Sequence, residues 1–200
     1  MSSIFYAAYG ININTVEMKR KFNAFLIGKG FLEGFDLEFR GVPSIKASPG
    51  KRVPVAIWQL STKSEIKLDY DEFKNIGDFK KEYHEIKVET LTGEANRSNL
   101  NSNQVTASVY ILNEFKPLAM LTLSDYNILF QAYQKQHDFN TAILVMAAQE
   151  ANKLYEERKF EQMTDLMKYG FSDEESEIVY NALITKWLIS GMPENYPSNT

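Results

Sequence analysis

Apolar positions fall first into short runs and alternations, and beyond Ser124 into helical spacing. Ile4 to Ala8 is a short apolar run that reads as a buried strand. Thr15 to Leu26 then places Met18, Phe22, Phe25 and Leu26 on one helical face, with Gly28 and Gly30 as its stop. Phe35, Leu37 and Phe39 alternate with Asp36, Glu38 and Arg40, the pattern of a half-buried strand. Ser44 to Ala47 reads as a short strand, Pro49-Gly50 as a turn, and Val53 to Leu60 as a central strand. Thr62 with Glu65 reads as a capping box for a helix to about Tyr70. Tyr83 to Glu89 alternates again, residues 91–103 form a polar loop, and Val105 to Leu112 is the last strand. The sum is a mixed sheet of about six short strands with two interleaved helices.

The second part of the chain predicts four helices. One is capped by Ser124 and runs to Gln136, one runs from Thr141 to Tyr155, and one from Lys159 to Lys168 is closed by Gly170. The last opens on the capping box Ser172–Glu175 and carries the stripe Ile178, Val179, Ala182, Leu183, Trp187 and Leu188. A stripe that apolar needs cover from the barrel, from the other helices or from a partner. It predicts a homodimer, with Trp187 buried in either case. The expected class is α+β, with residues 1–118 forming the sheet domain and residues 119–200 an α-helical extension.

Composition narrows the function classes. Of 200 residues, 44% are hydrophobic, with 13 Phe and 11 Tyr, enough for a sizeable core. A formal net charge of −4 argues against a nucleic-acid partner. No apolar run approaches membrane-spanning length, so no membrane partner is expected. The absence of cysteine removes thiol catalysis, disulfides and thiolate metal sites, and fits a cytoplasmic location. Met1-Ser2-Ser3 lacks the positive start of a signal peptide. His84 and His137 belong to no metal or triad pattern and read as structural, and neither a metal nor a cofactor is expected.

Two stretches carry candidate chemistry. Tyr9-Gly10-Ile11-Asn12-Ile13-Asn14 follows the first strand and precedes a helix that Asn14 and Glu17 can cap. Such a strand–turn–helix order either aims backbone N–H groups at a carboxylate or phosphate, or is a plain connection. Asp69, Asp71 and Glu72 stand beside Tyr70 and Phe73. An apolar wall there raises a carboxylate's pKa towards that of a useful base; the other reading is a solvated helix end.

In order, the motifs Tyr9-Gly10-Ile11-Asn12, Met18 with Arg20, Gly30 to Phe39, Val53-Pro54-Val55-Ala56-Ile57-Trp58, Leu68-Asp69-Tyr70-Asp71-Glu72-Phe73 and Val109-Tyr110-Ile111 resemble the γ-glutamylcyclotransferase-like superfamily. The resemblance covers residues 4–115 and implies a small mixed β-barrel with interleaved helices. It further implies release of 5-oxoproline from a small γ-glutamyl amine or peptide, with no metal. On that resemblance Glu72 is the general acid/base, Tyr9, Gly10, Ile11 and Asn12 form the substrate cradle, and Phe73, Phe79 and Tyr110 line the pocket. The sequence departs from the family pattern at Ile11, where the family has Ser, and at Phe73, where it has Gly. Phe79 stands where the family has a Tyr. These departures carry the alternative: a protein that keeps the pocket, has lost or altered the reaction, and binds or sequesters a small anionic ligand, as a viral or bacterial protein binding a signalling molecule does.

Overall fold

The computed structural model describes residues 4–76, 79–92, 103–112 and 116–190, and of residues 73–76 and 183–190 the backbone alone. Five strands are described: β1 (Ile4–Ala8), β2 (Phe25–Phe39), β3 (Pro43–Leu60), β4 (Phe79–Leu91) and β5 (Gln104–Leu112). They close a barrel in the order β1-β3-β2-β4-β5. Every neighbouring pair is antiparallel except β1 and β5, which meet in parallel at Tyr6 and Ser108. Around the barrel lie α1 (Thr15–Phe22), α2 (Thr62–Ile76), α3 (Leu123–Gln131), a π-helical turn at Ala132–His137, α4 (Ala142–Lys168) and α5 (Asp173–Ser190). Trp58, Ile57, Phe39, Leu32 and Ile86 belong to the hydrophobic core on the two faces of the sheet, each almost fully buried. Among the described residues, no helix is long and apolar enough to cross a membrane.

Several expected boundaries move, each for a local reason. The first helix stops at Phe22 instead of Leu26, because Asn23 takes the left-handed conformation at φ 48° and donates its N–H back to Lys19 and Met18. Phe25 and Leu26 therefore open β2, and Gly28 and Gly30 sit inside a strand instead of ending a helix. They are glycines because β4 lies against them: a Cβ would come within 2.3 Å of the Thr90 carbonyl at Gly28 and 2.4 Å of the Lys87 carbonyl at Gly30. Ser44–Ala47 and Val53–Leu60 belong to one strand, β3, because β2 pairs on both sides of an irregularity at residues 48–51, where Gly50 takes φ 81° opposite Gly34. Six expected strands thus become five, two of them long.

The helical part differs in three ways. Thr122, not Ser124, caps α3, its hydroxyl accepting from the Asp125 N–H at 3.1 Å. The helices expected at 141–155 and 159–168 are one, because the polar stretch between them contains no breaker and strong helix formers. In α5 the buried positions are Ser176 and Tyr180, whose ring meets Tyr155 edge-on at 5.8 Å, while Ile178 and Ala182 are exposed. Of the expected stripe, Val179 is half-buried, so its described members do not form one buried face. The side chains of Leu183, Trp187 and Leu188 lie outside the described residues, as does the polar loop from 93 to 102. The capping box at Ser172–Glu175 forms in both directions, at 3.3 and 2.8 Å.

Candidate functional site

The turn after β1 is a single 3₁₀ turn, Ile11–Ile13. The Ile13 N–H bonds the Gly10 carbonyl at 2.9 Å and the Asn14 N–H bonds Ile11 at 3.1 Å. Asn14 then caps α1, its side chain accepting from the N–H groups of Val16 and Glu17. Gly10 has φ −99°, an angle open to any residue. Its lack of a side chain matters because a Cβ would lie 3.2 Å from Pro43 at the start of β3.

The chain beyond α1 braces this turn from 121 to 124 residues away, through the π-helical segment. The Tyr133 hydroxyl donates to the Tyr9 carbonyl at 3.2 Å. His137 Nε2 donates to the Ile13 carbonyl at 2.7 Å. Gln136 Oε1 accepts from the Thr15 N–H at 2.8 Å and from its hydroxyl at 3.0 Å. Three partners within one π-helical segment fit the use of such turns at functional positions. His137 is buried and stacked on Phe139, and burial holds its pKa below the ordinary histidine value.

A cavity of about 270 Å³ opens in front of the turn. The turn region supplies Tyr6, Tyr9, Gly10, Ile11 and Asn12; α1 supplies Lys21 and Phe22. Val42 and Pro43 close one side, Phe79 and Tyr110 come from β4 and β5, and Asp71 and Glu72 come from α2. Every sequence-predicted site residue with a described side chain is thus gathered on one cavity. The Phe73 side chain lies outside the described residues.

The three α2 carboxylates separate into two environments. Asp69 faces away from the cavity, accepting the Tyr110 hydroxyl and the Lys81 ammonium, the latter at 2.9 Å; Lys81 also reaches Glu65 at 2.7 Å. Glu72 faces the turn and accepts from Asn12 Nδ2 at 2.6 Å. Burial pushes its carboxyl up to about 7, Asp71 adds to the rise, and the Asn12 hydrogen bond opposes it. Phe22 and Phe79 line the cavity together with Glu72, whereas Tyr70 is 56% exposed.

Sequence reasoning missed Tyr6, Lys21 and the bracing trio Tyr133, Gln136 and His137. Tyr6 carried a weak signal, being a polar-tipped residue in the strand that delivers the turn. The trio carried none, since its partners are more than a hundred residues away. Among the described residues no group of three His, Asp or Glu side chains is placed to hold a metal ion.

A closed five-stranded mixed barrel with interleaved and C-terminal helices is the γ-glutamylcyclotransferase-like fold, and this chain has it. A solved γ-glutamyl cyclotransferase superposes with TM-score 0.54 at 17% identity, covering 67% of this chain and 80% of that one. An uncharacterized human protein gives TM-score 0.53 at 17% identity over 68% of this chain and 80% of that one. YkqA from Bacillus subtilis gives 0.54 at 9% identity over 76% of this chain, which spans 55% of that protein's length. No protein-family model matches this sequence, and no curated protein matches it significantly.

Proposed function

We propose that the protein is a γ-glutamylcyclotransferase-like enzyme that releases 5-oxoproline from a small γ-glutamyl amine or peptide. The observation that carries this reading is Glu72: a carboxyl lifted to about 7, hydrogen-bonded to Asn12 of the turn and open to the same cavity. A base is most useful when its pKa lies near the working pH. In this reading the Ile11 and Asn12 N–H groups, which precede the first N–H bonded within the turn, receive the substrate's α-carboxylate.

Glu72 accepts one proton from the α-ammonium, freeing the nitrogen lone pair to attack the γ-carbonyl carbon. A C–N bond forms and closes the five-membered ring. Glu72 gives its proton to the leaving nitrogen as the old C–N bond breaks, then takes the second proton from the ring nitrogen. That proton leaves with the product amine, which emerges as its ammonium. The step asks for one mobile proton carrier and fixed donors, a demand that Glu72 and the N–H groups of the turn fit. The reading takes the cytoplasm as the place of action, in keeping with a cysteine-free chain.

The test is incubation of the purified protein with a panel of γ-glutamyl amines and peptides, assayed for 5-oxoproline. Product from wild type and its loss in Glu72→Gln is the expected result; no product from any substrate contradicts the reading. One observation favours a second reading. Ile11 and Phe79 line the cavity with apolar groups where the resemblance expects hydroxyls. A binding protein for a small anionic ligand fits that wall, and mass spectrometry of ligands released on denaturation separates the two.

A further inference from the structure

We infer that the Tyr6 hydroxyl is a catalytic donor, hydrogen-bonding the γ-carbonyl oxygen of the substrate as it gains negative charge. The inference rests on the proposed cyclotransferase reading and assigns the oxyanion-stabilising group within it. Most polar side chains on the cavity have a committed proton. The Tyr9 O–H donates to the Tyr110 carbonyl at 2.7 Å. The Tyr110 O–H donates to Asp69. The Asn12 amide donates to Glu72 at 2.6 Å. Tyr6 differs: among the described residues, its hydrogen-bond contact is the Asn12 amide at 3.4 Å, and there the phenol oxygen accepts. Its own proton is left for a ligand.

The position fits the role. Tyr6 is 5% exposed and lines the cavity, and its ring is held edge-on to Tyr110 at 5.5 Å. One amide group lies between its hydroxyl and Glu72, so donor and base face the same small volume. Burial first, and the Glu72 charge second, keep the phenol protonated well above its ordinary range. A buried, preorganised O–H of this kind strengthens its bond as charge develops on the acceptor. It also supplies a hydroxyl at a cavity whose Phe79 has none.

In the tetrahedral intermediate the γ-oxygen holds the electron pair displaced from the C=O bond. Tyr6 shares its proton with that oxygen without giving it up. The pair returns when the leaving C–N bond breaks, so Tyr6 begins and ends neutral.

The experiment compares wild type and Tyr6→Phe in the 5-oxoproline assay. The expected result is a fall in kcat of about 100-fold with KM changed less than about threefold, the signature of a contact made mainly in the transition state. A Tyr6→Phe kcat within about threefold of wild type overturns the donor role alone. A wild type that forms no product overturns the cyclotransferase reading and this role with it. If Tyr6→Phe unfolds, difluorotyrosine at position 6 keeps the shape and the O–H but is a stronger acid. Retained turnover with a new alkaline fall in the pH profile supports the donor; an unchanged profile overturns it.

Discussion

Glu72 is where the chain's physical chemistry concentrates. Its pKa of about 7 against an ordinary 4.5 means that the folded protein binds a proton there which the unfolded chain has lost between those two values. The sign follows from linkage. Below pH 4.5 the group is neutral in both states and costs nothing; above about pH 7 it is ionised in both, and the fold carries the penalty of a buried charge. The lift corresponds to roughly 3 kcal/mol at most. Glu72→Gln removes the charge and keeps an oxygen for Asn12, so it is expected to melt several degrees higher than wild type at pH 8 and no higher at pH 4. Thermal melts of both proteins across that range check it. Equal melting at pH 8 would show that the carboxylate is well solvated. The acidic knot around residue 70 was legible in the sequence as a candidate, but its division of labour was not. Which carboxylate meets Asn12 and which meets Lys81 depends on the facing of α2 against β4 and β5.

At the scale of elements, the π-helical turn ties the helical part of the chain to the site. Gln136 is its most testable member, since it satisfies the Thr15 N–H just after the turn. Gln136→Leu leaves that partly buried donor unmatched and is expected to cost about 1–3 kcal/mol and to weaken substrate binding. Gln136→Glu keeps an acceptor oxygen and is expected to restore most of both. Calorimetric stability and KM for the three proteins decide it; a Leu variant with wild-type KM would make the brace irrelevant to binding. Element types were read well from periodicity, because alternation and capping residues are local. Lengths were not. Gly28 and Gly30 look like a helix stop in one dimension, and only the approach of β4 shows them to be close-contact strand positions. Pro49-Gly50 looks like a turn until β2 is seen pairing along both sides of it.

For the whole molecule, the start and middle of the helical part are bound to the barrel. Tyr133 and His137 anchor the start on the turn, and Lys46 meets Glu150 at 3.8 Å midway along. Beyond this, Phe160, Tyr169 and Ile178 are 75%, 84% and 68% exposed. Large exposed apolar side chains are the kind of surface that associates. We therefore expect a homodimer through α4 and α5, and light scattering on the full-length protein measures it directly. A dimer that Phe160→Glu with Ile178→Glu converts to a folded monomer supports this interface; a monomeric wild type excludes a stable dimer. Closed two-fold pairs are the commonest way to cover such a face. The fold was visible in the order of motifs because the barrel's strands arrive in sequence with the turn and the glutamate. The surface was not visible, because spacing alone does not say that Tyr180 is buried while Ile178 is exposed.

In the proposed reaction Glu72 acts as a proton-carrying base towards a substrate held at the turn. The measurement that tests it most directly is the pH dependence of kcat/KM for 5-oxoproline release, using the best substrate from the γ-glutamyl panel. A base must be ionised in the free enzyme, so the rate is expected to rise tenfold per pH step on the acid side and level off near pH 7, with Glu72→Gln giving no such limb. A profile that stays flat down to pH 5, or a Glu72→Gln variant that keeps the wild-type rate, would contradict the account.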